Sequence, residues 1–221
     1  GNYTITANSN RTYNIHIRAS LGTATDINTL VVDYTDGNKV YALGYGAFET
    51  KESNIDLEDL TADSRWNSVN GHYYNGVVTD GQNTPAHPAG PFVILDTILD
   101  GQRKVDGLSS QTTSTTAFPG LTVTWAAAAT TAKLNTSFYQ GGLLHILGDQ
   151  GNDTDEYDRH VVAHEWGHYL LDAFSRDDSL GGDHGSFDYL DPTVAFSEGF
   201  ANAFSAYVTG DDVYKDTGGT N

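Results

Sequence analysis

Val161-Val162-Ala163-His164-Glu165-Trp166-Gly167-His168-Tyr169-Leu170-Leu171 is the stretch that decides how the chain is read. Val161, Val162, Trp166, Leu170 and Leu171 recur at helical spacing and predict a helix from about Tyr157 to Phe174. Positions four apart share a helix face, with Cβ atoms about 5–6 Å apart. Two imidazoles placed there, His164 and His168, can converge on one zinc ion at Zn–N distances of about 2.0–2.1 Å. Glu165 is too close in sequence to His164 to share its coordination easily, and can instead reach the attacking water. Two nitrogen ligands and one carboxylate base are what metal-assisted peptide hydrolysis demands.

A catalytic zinc usually takes three protein ligands and leaves a position open. The extended pattern HExxHxxGxxH is excluded, because Leu171 and Phe174 stand where glycine and histidine are required. Glu198 is the only glutamate after Glu165, and it falls in a second predicted helix. Asp191 as N-cap and Pro192 at the first helical position start that helix, which runs to about Val208. Phe196, Phe200 and Phe204 recur every four residues and are expected to form its core-facing stripe. Glu198 would then ride on a partly buried helix, where an unpaired carboxylate is costly and a metal would satisfy it. Asp188 or Asp191 as third ligand is the competing assignment.

HExxH on one helix, with a glutamate on a second helix some tens of residues later, resembles the gluzincin (thermolysin-like) metallopeptidases. Upstream, Thr136-Ser137-Phe138-Tyr139, the run Leu143 to Leu147, Gly148-Asp149 and an acidic loop resemble that family's order. There, an Asn-Ala-aromatic segment and an edge strand bind the substrate backbone. The resemblance spans roughly residues 91–208. It implies an α+β fold, a zincin-like catalytic lobe with an active-site helix and a second ligand-bearing helix. It also implies zinc on His164, His168 and Glu198, with Glu165 as general base and a peptide or protein substrate along the 143–147 edge. Where the family often has an aspartate four residues past the third ligand, this chain has Asn202, an amide that can still accept from an imidazole. The family's oxyanion-stabilising tyrosine maps to Tyr189. Its later histidine has no counterpart after His184, so either His184 takes that role or a C-terminal part beyond this chain supplies it.

Residues 1–55 read as β-rich: Tyr3–Thr6, Tyr13–Arg18, Thr29–Tyr34 and Lys39–Leu43 are β-branched and aromatic runs separated by turn signals. Asp36-Gly37 is a hairpin signal. This region is either an immunoglobulin-like remnant or the β lobe of the 56–221 catalytic domain. Residues 51–90 read as loops, Pro91–Leu99 as a buried helix, Ser109–Thr116 as an exposed loop, and Leu121–Trp125 and Leu143–Leu147 as strands. In the acidic run, Asp149, Asp153, Asp155 and Asp158 offer oxygen ligands at spacings that suit calcium. The competing reading is an acidic helix start that complements the helix dipole. His160 is expected to be solvated or capping, and His145 structural.

Eleven Lys and Arg against 29 Asp and Glu give a net charge of −18. Such a surface repels phosphate backbones and anionic lipid, which argues against nucleic acid and membrane partners. With no cysteine, disulfides and thiolate metal sites are excluded. The missing initial methionine points to a chain processed from something longer, in keeping with a secreted or cell-surface bacterial protein. The alternative from another class is a non-catalytic surface or adhesion module in which a metal only ties two helices together.

Overall fold

The computed structural model describes residues 4–22, 26–51, 88–109, 117–127, 135–149, 153–185 and 188–218, and a few positions between 55 and 73. The elements in chain order are β1 (Thr12–Arg18), β2 (Ser20–Gly22), β3 (Ile27–Asp33), β4 (Lys39–Val40), β5 (Ala42–Glu49), β6 (Trp66–Asn67) and β7 (His72–Tyr73). Then come α1 (Gly90–Ser109), β8 (Leu121–Trp125), β9 (Phe138–Gln140), β10 (Leu143–His145), β11 (Gly148–Asp149), β12 (Asp153–Thr154), α2 (Arg159–Phe174) and α3 (Pro192–Thr209). The fold is mixed α+β.

Among the described residues one six-stranded sheet dominates, in the order β2-β3-β8-β10-β9, with β4 also on β3. β3 runs parallel to β8, pairing Thr29 with Leu121 through Asp33 with Trp125. The N-terminal strands and those preceding α2 thus share a sheet. β8 also lies parallel to β10. β3 has a continuous apolar run only at Leu30-Val31-Val32, and β8 alternates Leu121, Val123 and Trp125 with Thr122 and Thr124, yet four of the five β8 residues are buried, as in a strand with neighbours on both sides. The Asp36-Gly37 turn does join β3 and β4 as an antiparallel pair. By contrast, Thr4 to Thr6 form no strand. Most of the 51–90 segment, and the 110–116 loop, lie outside the described residues.

The helices complete the core. Ile94, Leu95 and Ile98 of α1 and Val162, Trp166 and Tyr169 of α2 pack with Val31, Val123, Trp125 and Leu144 of the sheet. Burying such side chains stabilises by roughly 1.5–3 kcal/mol each. Gly101 matters here because a Cβ at that position would lie 2.9 Å from the Trp166 ring. Its absence lets the indole pack directly against α1.

Two expectations are corrected. The 143–147 run is not the sheet edge: β10 is an inner strand, covered on its outer side by β9. The tight turn Gly141-Gly142, with φ of 58° and 83°, folds β9 back onto it. The outer edge is therefore β9. Nor is the phenylalanine stripe the buried face of α3. Phe196 is 63% exposed, while Val194, Ser197, Ala201, Ser205 and Val208 are buried. Phe204 alone of the three reaches the core, against Trp166. Small residues face α2 where the two helices come closest, at Gly167 against Ala201. α3 itself begins as its sequence signals require, with Thr193 N donating to Asp191 Oδ1, and ends at Gly210 in the left-handed region.

Candidate metal centre

His164 and His168 occupy one face of α2, separated by one turn, and their Nε2 atoms stand 3.1 Å apart. Glu198 reaches them from α3, with Oε2 3.1 Å from His164 Nε2 and Oε1 3.4 Å from His168 Nε2. Tetrahedral ligands at about 2.0–2.1 Å from an ion lie about 3.3 Å from each other. The three edges match that spacing. Among the described residues these three donors form a group with all ligand atoms within 4.8 Å of one another.

Hydrogen bonds at the far side of each ring set the tautomers. His164 Nδ1 donates to Asn202 Oδ1 at 3.0 Å, the contact expected of that amide. His168 Nδ1 donates to Ser197 Oγ at 3.1 Å, and Ser197 Oγ donates on to Asp177 Oδ2 at 3.3 Å. Neutral rings held this way aim bare Nε2 lone pairs at each other and at a carboxylate. A cation is what makes that arrangement favourable, so the residues fit a metal ion. Ser197 and Asp177 were not legible in the sequence, since a serine inside a helix gives no sign of bonding a ligand imidazole.

Burial works against ionisation of Glu198, but the His164 and His168 imidazoles outweigh it and hold the carboxyl well below its usual range. Burial likewise works against a charged His164, yet Glu198 and Glu165 raise its pKa overall. Glu165 is 8% exposed, with Oε1 4.0 Å from His164 Nε2. Burial raises its pKa, against the imidazoles and a hydrogen bond accepted from the Tyr139 backbone N–H on β9. The edge strand and the candidate base therefore face the same space.

The competing aspartates are engaged elsewhere: Asp188 Oδ2 accepts from Gly185 N and Asp191 caps α3. His184 Nε2 lies 3.3 Å from Glu198 Oε1, and its Nδ1 donates to Gly182 O. It borders the three-donor group without joining it. Tyr189 is fully exposed and stands away from the imidazoles in solvent. The phenol that does approach them is Tyr214, whose ring lies 6.0 Å from His164 and 5.4 Å from His160, edge-on to the former. Nothing in the sequence around it pointed there. His160 is buried rather than solvated, within reach of Ser205 and Thr209 on α3.

Of the four acidic-run residues, Asp153 and Asp155 come together, joined by Asp216 from beyond α3. Asp158 is turned to Thr217, accepting from its N and Oγ1. The Asp149 side chain lies outside the described residues. No described helix is long and apolar enough to cross a membrane.

The family model described as Mycolysin C-terminal domain matches residues 106–221, a little more than half of the chain and inclusive of both α2 and α3. No curated protein matches the chain.

Proposed function

The chain belongs to the Mycolysin C-terminal domain family, which relates to metallopeptidases, and from that premise we propose that it is a zinc-dependent peptidase. The observation that carries the proposal is the pair of Nε2 atoms 3.1 Å apart, with both Nδ1 atoms committed elsewhere and Glu198 alongside. His164, His168 and Glu198 would hold the ion. Zinc bound there would supply Lewis acidity, polarising a carbonyl and lowering the pKa of a water.

The chain's own residues do the rest. Glu165, poised over the same space, takes the proton of the attacking water on its carboxylate and hands it to the leaving amine nitrogen. Tyr139 N–H orients that carboxylate. A substrate strand would align along the outer side of β9, the side away from β10. His184 and Tyr214 border the centre from opposite segments and are the groups available to steady a developing oxyanion. With β2 to β4 in the sheet that supports α2, the N-terminal strands read as the β lobe of this catalytic unit. We further read the protein as secreted and bacterial, acting on peptides rather than on nucleic acid or membrane.

Glu165→Gln should keep its zinc and lose peptide-library cleavage by several orders of magnitude. Cleavage at the wild-type rate would refute the assigned base. The non-catalytic alternative requires a fourth protein ligand, such as Asp183, His184 or Asp188, to close the coordination. Zinc in a set of four protein ligands, with no peptide cleaved by the wild type, would favour it.

A further inference from the structure

Glu165, Tyr169 and Asp172 stand at i, i+4 and i+7 along α2 and so share one face of the helix. Tyr139 of the edge strand lies across that face and meets all three. Its backbone N–H donates to the Glu165 carboxylate, its ring stands edge-on to that of Tyr169 at 6.1 Å, and its Oη donates to Asp172 Oδ2 at 2.6 Å. One residue thus commits its main-chain donor to the candidate base and its side-chain donor to a second carboxylate about 10 Å further along the same helix.

The hydroxyl is the informative half of this contact. β9 is three residues long, and its hydrogen-bonded partner strand among the described residues is β10. Its outer side is therefore held by α2. Packing alone does not call for the phenol oxygen, because a phenylalanine ring would meet Tyr169 equally well. The oxygen is nevertheless aimed at a carboxylate. A phenol–carboxylate hydrogen bond is charge-assisted and stronger than a neutral pair. Burial, and then the Asp172 carboxylate, push the Tyr139 phenol up, so it keeps its proton and remains a donor at neutral pH.

We propose that the Tyr139 hydroxyl and Asp172 form a clamp that fixes the edge strand in register with α2 and so holds the Tyr139 N–H on Glu165. Both are positioning residues: their side chains act on the base, through the strand, and not on substrate. The clamp itself follows from this geometry, and its kinetic consequence rests on the peptidase reading above. With β9 still paired to β10, releasing the clamp leaves the metal ligands and the substrate edge in place and lets the Glu165 carboxylate turn. The loss then falls on kcat and not on KM.

The test uses the zinc-loaded chain. Tyr139→Phe keeps the ring and removes the hydroxyl, Asp172→Ala removes the acceptor, and Asp172→Asn keeps an acceptor oxygen. Asp178→Ala controls for the loss of an exposed carboxylate after α2. Zinc content and melting temperature should be alike in all four. Tyr139→Phe and Asp172→Ala should each lower kcat about tenfold at unchanged KM, within the roughly 10²-fold that a 1 Å misplacement can cost. The double variant should lose no more than either single one, while Asp172→Asn and Asp178→Ala keep the wild-type rate. Hydrogen exchange of the backbone amide at position 139, followed by NMR, reads the clamp without substrate. Protection there should fall about tenfold in Tyr139→Phe and Asp172→Ala, as it should in Glu165→Ala. Wild-type kcat in either single variant, multiplied losses in the double one, or unchanged protection of that amide would overturn the proposal. A wild type that cleaves no peptide would defeat the peptidase reading instead, and the exchange measurement would then decide the clamp.

Discussion

A β-carbon added to Gly167 would stand 3.1 Å from the Cα of Ala201. That contact, backbone against backbone between α2 and α3, sets how far Glu198 must reach to meet His164 and His168. Glycine between the two motif residues is thus a spacer for the metal centre as well as part of a helix.

Gly167→Val should therefore push the helices apart. Overpacking of this kind destabilises by about 1–3 kcal/mol, and zinc affinity should fall along with the melting temperature. Chemical denaturation with a zinc-retention assay measures both. A variant with wild-type stability and zinc affinity would mean that the α2–α3 contact is looser than described.

The hydrogen-bond chain from His168 through Ser197 to Asp177 gives a second prediction. Partners of ligand imidazoles are typically worth 10- to 100-fold in metal affinity. Ser197→Ala should weaken zinc by about that factor while leaving the fold intact, as competition with a chromophoric chelator would show. Unchanged affinity would remove Ser197 from the site.

His184 and Tyr189 separate cleanly. His184→Ala should keep zinc and lower kcat by roughly 10²-fold or more, the usual scale for an oxyanion-stabilising group. Tyr189→Phe, at a fully exposed position, should leave kcat and KM unchanged. The opposite pattern would restore the phenol and dismiss the imidazole.

How far the sequence disclosed these features depended on the range of the signal. The imidazole pair and Glu165 were legible because i, i+4 geometry is local to one helix. The Asp191-Pro192 start of α3 was legible because a cap is also local. Glu198 was assigned to the centre, but on a stripe that the structure does not bury. Phe196 faces solvent because α3 meets α2 through Ser197, Ala201 and Ser205, and small residues carry no hydrophobic period. The sheet edge lies one strand further out than the 143–147 run suggests, because Gly141-Gly142 folds β9 back outside β10. Ser197, Asp177, Tyr214 and Asp216 acquire their places only through tertiary contacts.

Stability should also carry a pH signature away from the metal centre. His145 on β10 has its pKa lowered by burial; its Nδ1 pairs with Thr124 Oγ1 at 2.6 Å, and its ring lies 4.4 Å from that of Phe138. A histidine whose folded pKa lies below the unfolded value of about 6.5 binds fewer protons folded than unfolded. Its effect is absent above that value, and stability is lost as pH falls below it, until the folded pKa is passed. Denaturation at pH 7.5 and 5.5 should therefore show a smaller acid loss in His145→Gln than in wild type. Equal losses would place His145 in a solvent-like setting.

The most direct measurement is zinc stoichiometry in the wild type beside Glu198→Ala and Asp188→Ala. The arrangement of His164, His168 and Glu198 predicts one tightly held zinc in wild type, full retention in Asp188→Ala and a loss of affinity of at least 100-fold in Glu198→Ala. A Glu198→Ala protein that holds zinc as tightly as wild type would contradict it.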